Sequence, residues 1–269
     1  MASDGHEAFT VAHISDLHCG DPSFQPNLLE RAISEINELK PRAVVCTGDL
    51  TVFGFKEEYR LARTYLDAIE CDAIVVIPGN HDSRNVGYVH FEQLFGDRNS
   101  VLRVDGVTVV AIDSTEPDLD HGHVGRGRYR WIEEQFSATP AGLRIFAMHH
   151  HLLPVPGTGR ERNVVYDAGD AIETLQRAQV DLVLSGHKHV PYAWRLEDLF
   201  VVNAGTVSTL RLRGNTRPCY NLIEVSGAHV DVWRKYPFHG QEKIIQFSTD
   251  TRAFEKYTAR IEGEVTTRS

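Results

Sequence analysis

The 269-residue sequence has no apolar run approaching the roughly 20 residues that a helix needs to cross a bilayer, which excludes a helical membrane-spanning reading. Its four cysteines, Cys19, Cys46, Cys71 and Cys219, form no Cys-x-x-Cys pair, and no charged stretch followed by an apolar secretory segment opens the chain. Both absences fit a reducing cytoplasm. Basic excess is missing too. Against 28 Lys and Arg stand 37 Asp and Glu, a formal net charge of -9 that repels polyanions and argues against a general nucleic-acid binder. The densest basic stretch, RLRGNTR from Arg211 to Arg217, contains no aromatic residue for base stacking and reads as a solvated turn. Internal repeats, low-complexity linkers and an obvious domain boundary are absent as well.

The residues that are present include 42% hydrophobics, enough for one sizeable core. FTVAHI, AVVC and AIVVIPGN read as strands, separated by the helical patterns NLLERAISEINELK and KEEYRLARTYLDAIE. A loop with a short helix spans Asn85 to Gly96, and the strands SVLRV and VTVVAIDS are joined by the turn Asp105-Gly106. The helix RYRWIEEQF precedes the strand LRIFAMHH, and DAIETLQRAQ precedes DLVLS. From Tyr192 onward FVVNAG, CYNLIEV and HVDVWR suggest mainly antiparallel strands. Two facing sheets with helices outside would bury both halves in one core. The expected organisation is a flexible start over residues 1–8, a single domain over 9–248, and a C-terminal extension over 249–269.

Polar groups gather where these strands end. SDLH sets Asp16 and His18 one residue apart after the first strand, and CTGDL sets Asp49 after the second. PGNHD brings Asn80, His81 and Asp82 to the end of the third. His149, His150 and His151 close LRIFAMHH and its neighbour, and SGHKH supplies His187 and His189. In a parallel sheet the carboxyl ends of strands lie side by side, close to helix N-termini that favour anions. Five strand ends carrying Asp, Asn and His suit a pair of hard or borderline divalent metals, because a lone ion needs fewer ligands. The blander alternative, that these groups cap helices and fill turns, must explain why they recur after apolar runs.

The marks DLH (Asp16 to His18), GD (Gly48 to Asp49), GNHD (Gly79 to Asp82), the first histidine of HHH and GHKH (Gly186 to His189) span most of the chain. In this order the sequence resembles the calcineurin-like metallophosphoesterase family, and looks most like its cyclic-nucleotide phosphodiesterase branch. The resemblance implies an α/β fold, a four-layer α/β/β/α sandwich with two mixed β-sheets. It implies Asp16, His18, Asp49 and His189 around one metal and Asp49, Asn80, His149 and His187 around the other, with Asp49 bridging. His81 resembles the family's catalytic-site histidine, which contacts phosphate and assists leaving-group protonation. Asn80, Arg84 and His150 are the further substrate-side candidates, and for Arg84 the plain alternative is a surface ion pair. One departure stands out. The acid of the family's GDxxD form is replaced by Val52, which removes a supporting group but no implied ligand, and the tyrosine that would indicate the purple acid phosphatase branch is also absent there.

The implied cofactors are two divalent or mixed-valence metal ions, Mn and/or Fe, with Zn also compatible with nitrogen and oxygen donors. Such a pair neutralises phosphate oxygens and activates water for in-line attack. The leading expectation is hydrolysis of phosphodiesters such as cyclic nucleotides. A phosphomonoesterase, a nuclease, or a noncatalytic interaction protein on the same scaffold are the alternatives. The expected partner is a small phosphoester, with no membrane and no nucleic acid. A homo-oligomer stays open, since Ile244, Ile245 and Phe247 suit either a last core strand or a partner surface. The loop from Leu152 to Gly169 is a place for substrate contacts; its Arg160, Glu161 and Arg162 could shape the pocket, but at least two of them read as a solvated charge run. Asp82 is expected to orient His81, to cap a helix or to bond to another ligand, His121 and His123 to serve a substrate loop or the surface, and Lys188 to face away from a doubly cationic site.

Overall fold

The structure, a computed structural model, describes residues 7–138, 142–158 and 163–257. Residues 1–6 of the expected flexible start, the loop residues Arg160, Glu161 and Arg162, and residues 258–269 of the expected extension lie outside the described residues.

Burial alternates along the strands and so dictates the layers. In β1 (Phe9–Ile14), Val11 points to one face, where it meets Val45 of β2 (Ala43–Cys46) and Val75 of β3 (Ile74–Val76). Ala12 and Ile14 point to the other face, with Val44 and Cys46, against Leu29, Ile33 and Ile36 of α1 (Pro26–Leu39) and Tyr59 and Leu66 of α2 (Lys56–Leu66). Strands covered on both faces read as near-continuous apolar runs, as AVVC does. The following helix α3 (Gly87–Phe95) adds Phe91 to the same outer layer.

The second sheet repeats the arrangement. β4 (Ser100–Val104) and β5 (Val107–Ala111) form the expected hairpin, and β5 runs parallel to β6 (Leu143–Ala147) and β6 to β7 (Leu182–Ser185). Outward-facing Val110, Phe146 and Val183 pack on Ile132 and Phe136 of α4 (Arg126–Ser137) and on Ala171 and Leu175 of α5 (Ala168–Arg177). Inward-facing Val109, Ile145 and Leu182 meet the inner face of the first sheet. The result is the four-layer sandwich with two mixed sheets.

The chain then completes both sheets. β8 (Tyr192–Leu196) and β9 (Leu199–Asn203) close the second, ordered β4-β5-β6-β7-β9-β8, and β9 lies parallel to β7 within a region expected to be mainly antiparallel. β10 (Tyr220–Ser226), β11 (His229–Tyr236), β12 (Gly240–Ser248) and β13 (Phe254–Lys256) build the antiparallel half of the first, ordered β13-β12-β11-β10-β1-β2-β3. Ile244, Ile245 and Phe247 are buried in the inter-sheet core, which settles their role as a core strand.

Three elements differ from the sequence reading. α2 stops at Leu66 instead of continuing through Glu70, because the Asn37 side chain donates to the Ala68 carbonyl and accepts from the Glu70 N–H, pinning a turn there. β3 ends at Val76, just ahead of Pro78, whose ring nitrogen offers no ladder donor. Phe254–Lys256, within the expected extension, adds an edge strand to β12.

Candidate metal centre

The strand ends where the candidate ligands sit have unusual backbones. Asp16, His18, Asp49, His187 and His189 all have positive φ, at 57°, 48°, 52°, 87° and 56°. Each such non-glycine residue costs on the order of 1 kcal/mol or more and persists only where its surroundings hold it. The hold is visible: Asp16 N–H donates to Gly48 O and His18 N–H to Asp49 O, both at 2.9 Å, lacing the first two loops together. Glycines provide the clearance. A Cβ on Gly79 would lie 2.2 Å from Asp49 Oδ1, and one on Gly186 would lie 1.9 Å from Ser15 Oγ and 2.4 Å from Asp16 Oδ2.

These loops bring donor atoms into two adjoining sets. In one, His18 Nε2 lies 2.8 Å from His189 Nε2, 3.6 Å from Asp49 Oδ2 and 3.9 Å from Asp16 Oδ1, while His189 Nε2 lies 3.4 Å from Asp16 Oδ1. In the other, Asn80 Oδ1 is 2.9 Å from His187 Nδ1 and 3.1 Å from His149 Nε2, and His149 Nε2 is 3.4 Å from Asp49 Oδ1. The two Asp49 oxygens thus face different sets. All seven residues are buried.

The donor chemistry fits cations. Two imidazole nitrogens facing each other at 2.8 Å, or at 3.3 Å for His149 and His187, can share only one proton, whereas a metal ion satisfies both. Burial pushes His18 down to about 3 and also lowers His187, so both rings are neutral and have lone pairs to offer. Burial alone would raise Asp16 and Asp49; the neighbouring histidines override it and keep both carboxylates ionised. Burial would likewise lower His149, but the Asp49 carboxylate lifts it to about 9, a proton that a bound cation would displace. Groups drawn from Asp16, His18, Asp49, His81, His149 and His189 lie within metal-binding reach of one another.

Residues 9–191 match the calcineurin-like phosphoesterase family. The chain belongs to that family. It is 24% identical over 200 residues to a cAMP/cGMP dual specificity phosphodiesterase of Mycobacterium tuberculosis, a match covering 67% of this chain and 62% of the relative. It is 30% identical over 129 residues to a probable glycerophosphodiester phosphodiesterase of Arcobacter nitrofigilis, covering 45% of this chain and 47% of the relative. The matches therefore span between about half and three fifths of these relatives. In fold it is similar to a purple acid phosphatase from yellow lupin seeds, with a TM-score of 0.69 at 14% identity over 93% of this chain and 53% of that one.

Three supports of this centre go beyond the sequence reading, which leaves the role of Asp82 open. The first lies at position 52, where the sequence departs from the GDxxD form: His81 Nδ1 lies 2.7 Å from the main-chain carbonyl of Val52, so a backbone oxygen orients the ring. The second is Asp82. Its carboxylate accepts from the Leu50, Thr51 and Gly79 N–H groups and the Thr51 hydroxyl, so it ties the β2 and β3 loops together and does not touch the His81 ring. The third is Asp120, in the loop after β5, which accepts from Asn80 Nδ2 at 3.1 Å and from Arg84 at 2.9 Å. Arg84 thus makes the ion pair weighed as its plain alternative while also lining the cleft.

The centre opens into a cleft of about 460 Å³ lined by His18, Asn80, His81, His187 and His189 on its floor and by Arg84, Asp120, Lys188, Arg211, Leu212 and Arg213 on its walls. Lys188, expected to face away, is part of that wall. His150 is fully buried, with Nδ1 held by Ser114 Oγ at 2.8 Å and its ring against His187, which places it behind a candidate ligand and off the cleft wall. His151 exchanges backbone hydrogen bonds with Asn163 and Val165 and supports the loop. His123 stacks on Tyr166 and lies 3.0 Å from Glu116, a surface role. Cys19 is a buried core thiol, and burial pushes it far up. Among the described residues no helix is long and apolar enough to cross a membrane.

Proposed function

We propose that this chain hydrolyses phosphoesters with two metal ions, and that small phosphodiesters, cyclic nucleotides among them, are its substrate class. The observation that carries the reading is the pair of donor sets sharing the Asp49 carboxylate. Asp16, His18, Asp49 and His189 would hold one ion, and Asp49, Asn80, His149 and His187 the other. When bound, the pair supplies positive charge against the phosphate oxygens and lowers the pKa of water in the site.

The remaining work falls to the chain's own groups. His81 Nδ1, bonded to the Val52 carbonyl, leaves the other ring nitrogen to carry a proton to the departing oxygen. Its ring stands edge-on to His18 at 4.8 Å, and it lies within reach of the His18 and Asp49 donors. Arg84, on the cleft wall, can exchange part of its hold on Asp120 for a phosphate oxygen. Nitrogen and oxygen donors suit Mn or Fe, and Zn as well. The diester preference draws support from relatives named for cyclic nucleotides and glycerophosphodiesters. Cys19, Cys46, Cys71 and Cys219 are all free thiols, in keeping with a reducing cytoplasm.

The test is metal-free protein titrated with Mn, Fe(II) or Zn and assayed on bis(p-nitrophenyl) phosphate, p-nitrophenyl phosphate, cyclic AMP and glycerophosphocholine. Metal-dependent turnover of the diesters is expected. Turnover of the monoester alone would overturn the diester assignment, and no turnover of any ester by protein shown to hold two ions would overturn the hydrolytic reading.

A further inference from the structure

The basic segment RLRGNTR, which in sequence reads as a solvated turn, contributes Arg211, Leu212 and Arg213 to the wall of the cleft over the metal centre. Its base is anchored. Leu210 N–H donates to Ser23 O at 3.1 Å, Arg211 N–H donates to Thr209 Oγ1 at 3.1 Å, and His189 Nδ1 donates to Arg211 O at 2.5 Å. The same imidazole that faces the donor set therefore fixes the main chain carrying these arginines.

The charge on this wall exceeds what one diester needs. Among the described residues, Arg211 and Arg213 line the cleft beside Arg84, and the one acid lining it there, Asp120, is engaged by Arg84. Arg211 has only a distant contact, 3.8 Å to Asp21, and Arg213 pairs with no acid among the described residues. In a chain of net charge -9, such cations beside two candidate cation sites repel one another unless an anion lies between them. A phosphodiester has a single negative charge, which the metal centre itself would neutralise.

We infer that Arg211 and Arg213 form an anion subsite, and that the preferred substrate is a phosphodiester carrying a second phosphate group, of the nucleotide-ester kind. The scissile phosphate lies on the metal centre, and the second phosphate bridges the two guanidinium groups. The inference rests on the proposed hydrolytic reading for the position of the first phosphate. Planar guanidinium forks make paired, charge-assisted hydrogen bonds to phosphate, so two arginines lining one cleft select for that group beyond general steering.

The experiment compares binding of adenosine 3′,5′-bisphosphate and adenosine 5′-monophosphate to the Mn-loaded protein by calorimetry, for wild type, Arg213→Gln and the Arg211→Gln/Arg213→Gln double variant. Wild type is expected to bind the bisphosphate roughly tenfold or more tightly than the monophosphate, the worth of a charge-assisted hydrogen bond, and the double variant to bring the two within about threefold. Equal binding in wild type, or a preference that survives in the double variant, overturns the subsite. A short single-stranded oligonucleotide binding far more tightly than the bisphosphate would also overturn it, in favour of a polyanion track. Calorimetry reads the subsite independently of turnover, so a protein that binds the bisphosphate selectively yet hydrolyses no ester would sink the hydrolytic reading alone.

Discussion

The amide nitrogen of Asn80 donates to the carboxylate of Asp120 at 3.1 Å, and this bond decides which end of the amide meets the histidines. With Nδ2 held outward, Oδ1 is turned to His149 and His187. An amide turned the other way would present N–H donors to a cation. Asp120→Ala is therefore expected to weaken one of two metal-binding steps by roughly tenfold or more, as loss of a ligand's supporting group does. Asp120→Asn, which retains an acceptor oxygen, should recover most of that affinity. Competitive metal titration of the metal-free variants reads this directly, and identical affinities in all three proteins would refute the orienting role. Asp120 is largely exposed, so folding is not at stake.

Asp49 is the one residue shared by both donor sets. Asp49→Asn keeps the size of the side chain and an oxygen to accept the His81 N–H, but it removes the charge between two imidazole pairs. Elemental analysis should find fewer than two ions per chain, and diester turnover should fall by more than the roughly 100-fold that loss of a supporting group costs. Two retained ions with wild-type turnover would contradict the bridging role.

His81 differs from the ligand histidines because it is held by a backbone carbonyl and borders the cleft. If it carries the proton to the leaving oxygen, His81→Gln should matter most where that oxygen is basic. The expected loss is on the order of 100-fold or more for an alkyl diester and much less for the p-nitrophenyl diester, whose leaving group needs no proton. Equal losses on both would assign His81 to binding phosphate alone.

What the sequence carried, and what it did not, follows from the range of the forces involved. Asp16, His18, Asp49, Asn80, His149, His187 and His189 could be read because each sits directly after an apolar strand, a local signal. The strands themselves could be read because burial on both faces leaves near-continuous apolar runs such as Ala43–Cys46. Asp120 could not, since it reaches Asn80 across 40 positions from a loop without periodicity. Val52 was legible only as a missing acid, because a main-chain carbonyl has no residue type to recognise. Arg211 was read by composition as part of a solvated turn, whereas the path of the chain after β9 brings it to the cleft, and Lys188, expected to turn away from two cations, lines the same cleft. β13 escaped for the opposite reason: all three of its residues are exposed, so no burial pattern marks it.

The last expectation concerns stability and lies outside the metal centre. His13 of β1 is fully buried, with Nε2 3.0 Å from Thr47 Oγ1 and Nδ1 3.1 Å from Asn221 Nδ2. Asn221 Nδ2 can only donate, so Nδ1 is unprotonated and Nε2 carries the hydrogen of a neutral ring. Protonating Nδ1 would leave two donors facing each other in the core. Burial accordingly depresses His13 from 6.5 to about 3. In the unfolded chain the ring titrates near its ordinary value, so between pH 6.5 and about 3 the unfolded state binds one more proton than the folded state at this position. Stability is then complete above pH 6.5 and is lost as the pH falls through that window, at about 1.4 kcal/mol per pH unit for one proton. His13→Gln keeps polar contacts for Thr47 and Asn221 but has no proton to take up. In denaturant unfolding of metal-free protein at pH 4.5, 5.5 and 7.5, the variant is expected to be less stable than wild type at pH 7.5 and to close that gap as the pH falls. A gap that stays constant with pH would show that His13 is already protonated in the folded protein, or that its neutral form is not what the core requires.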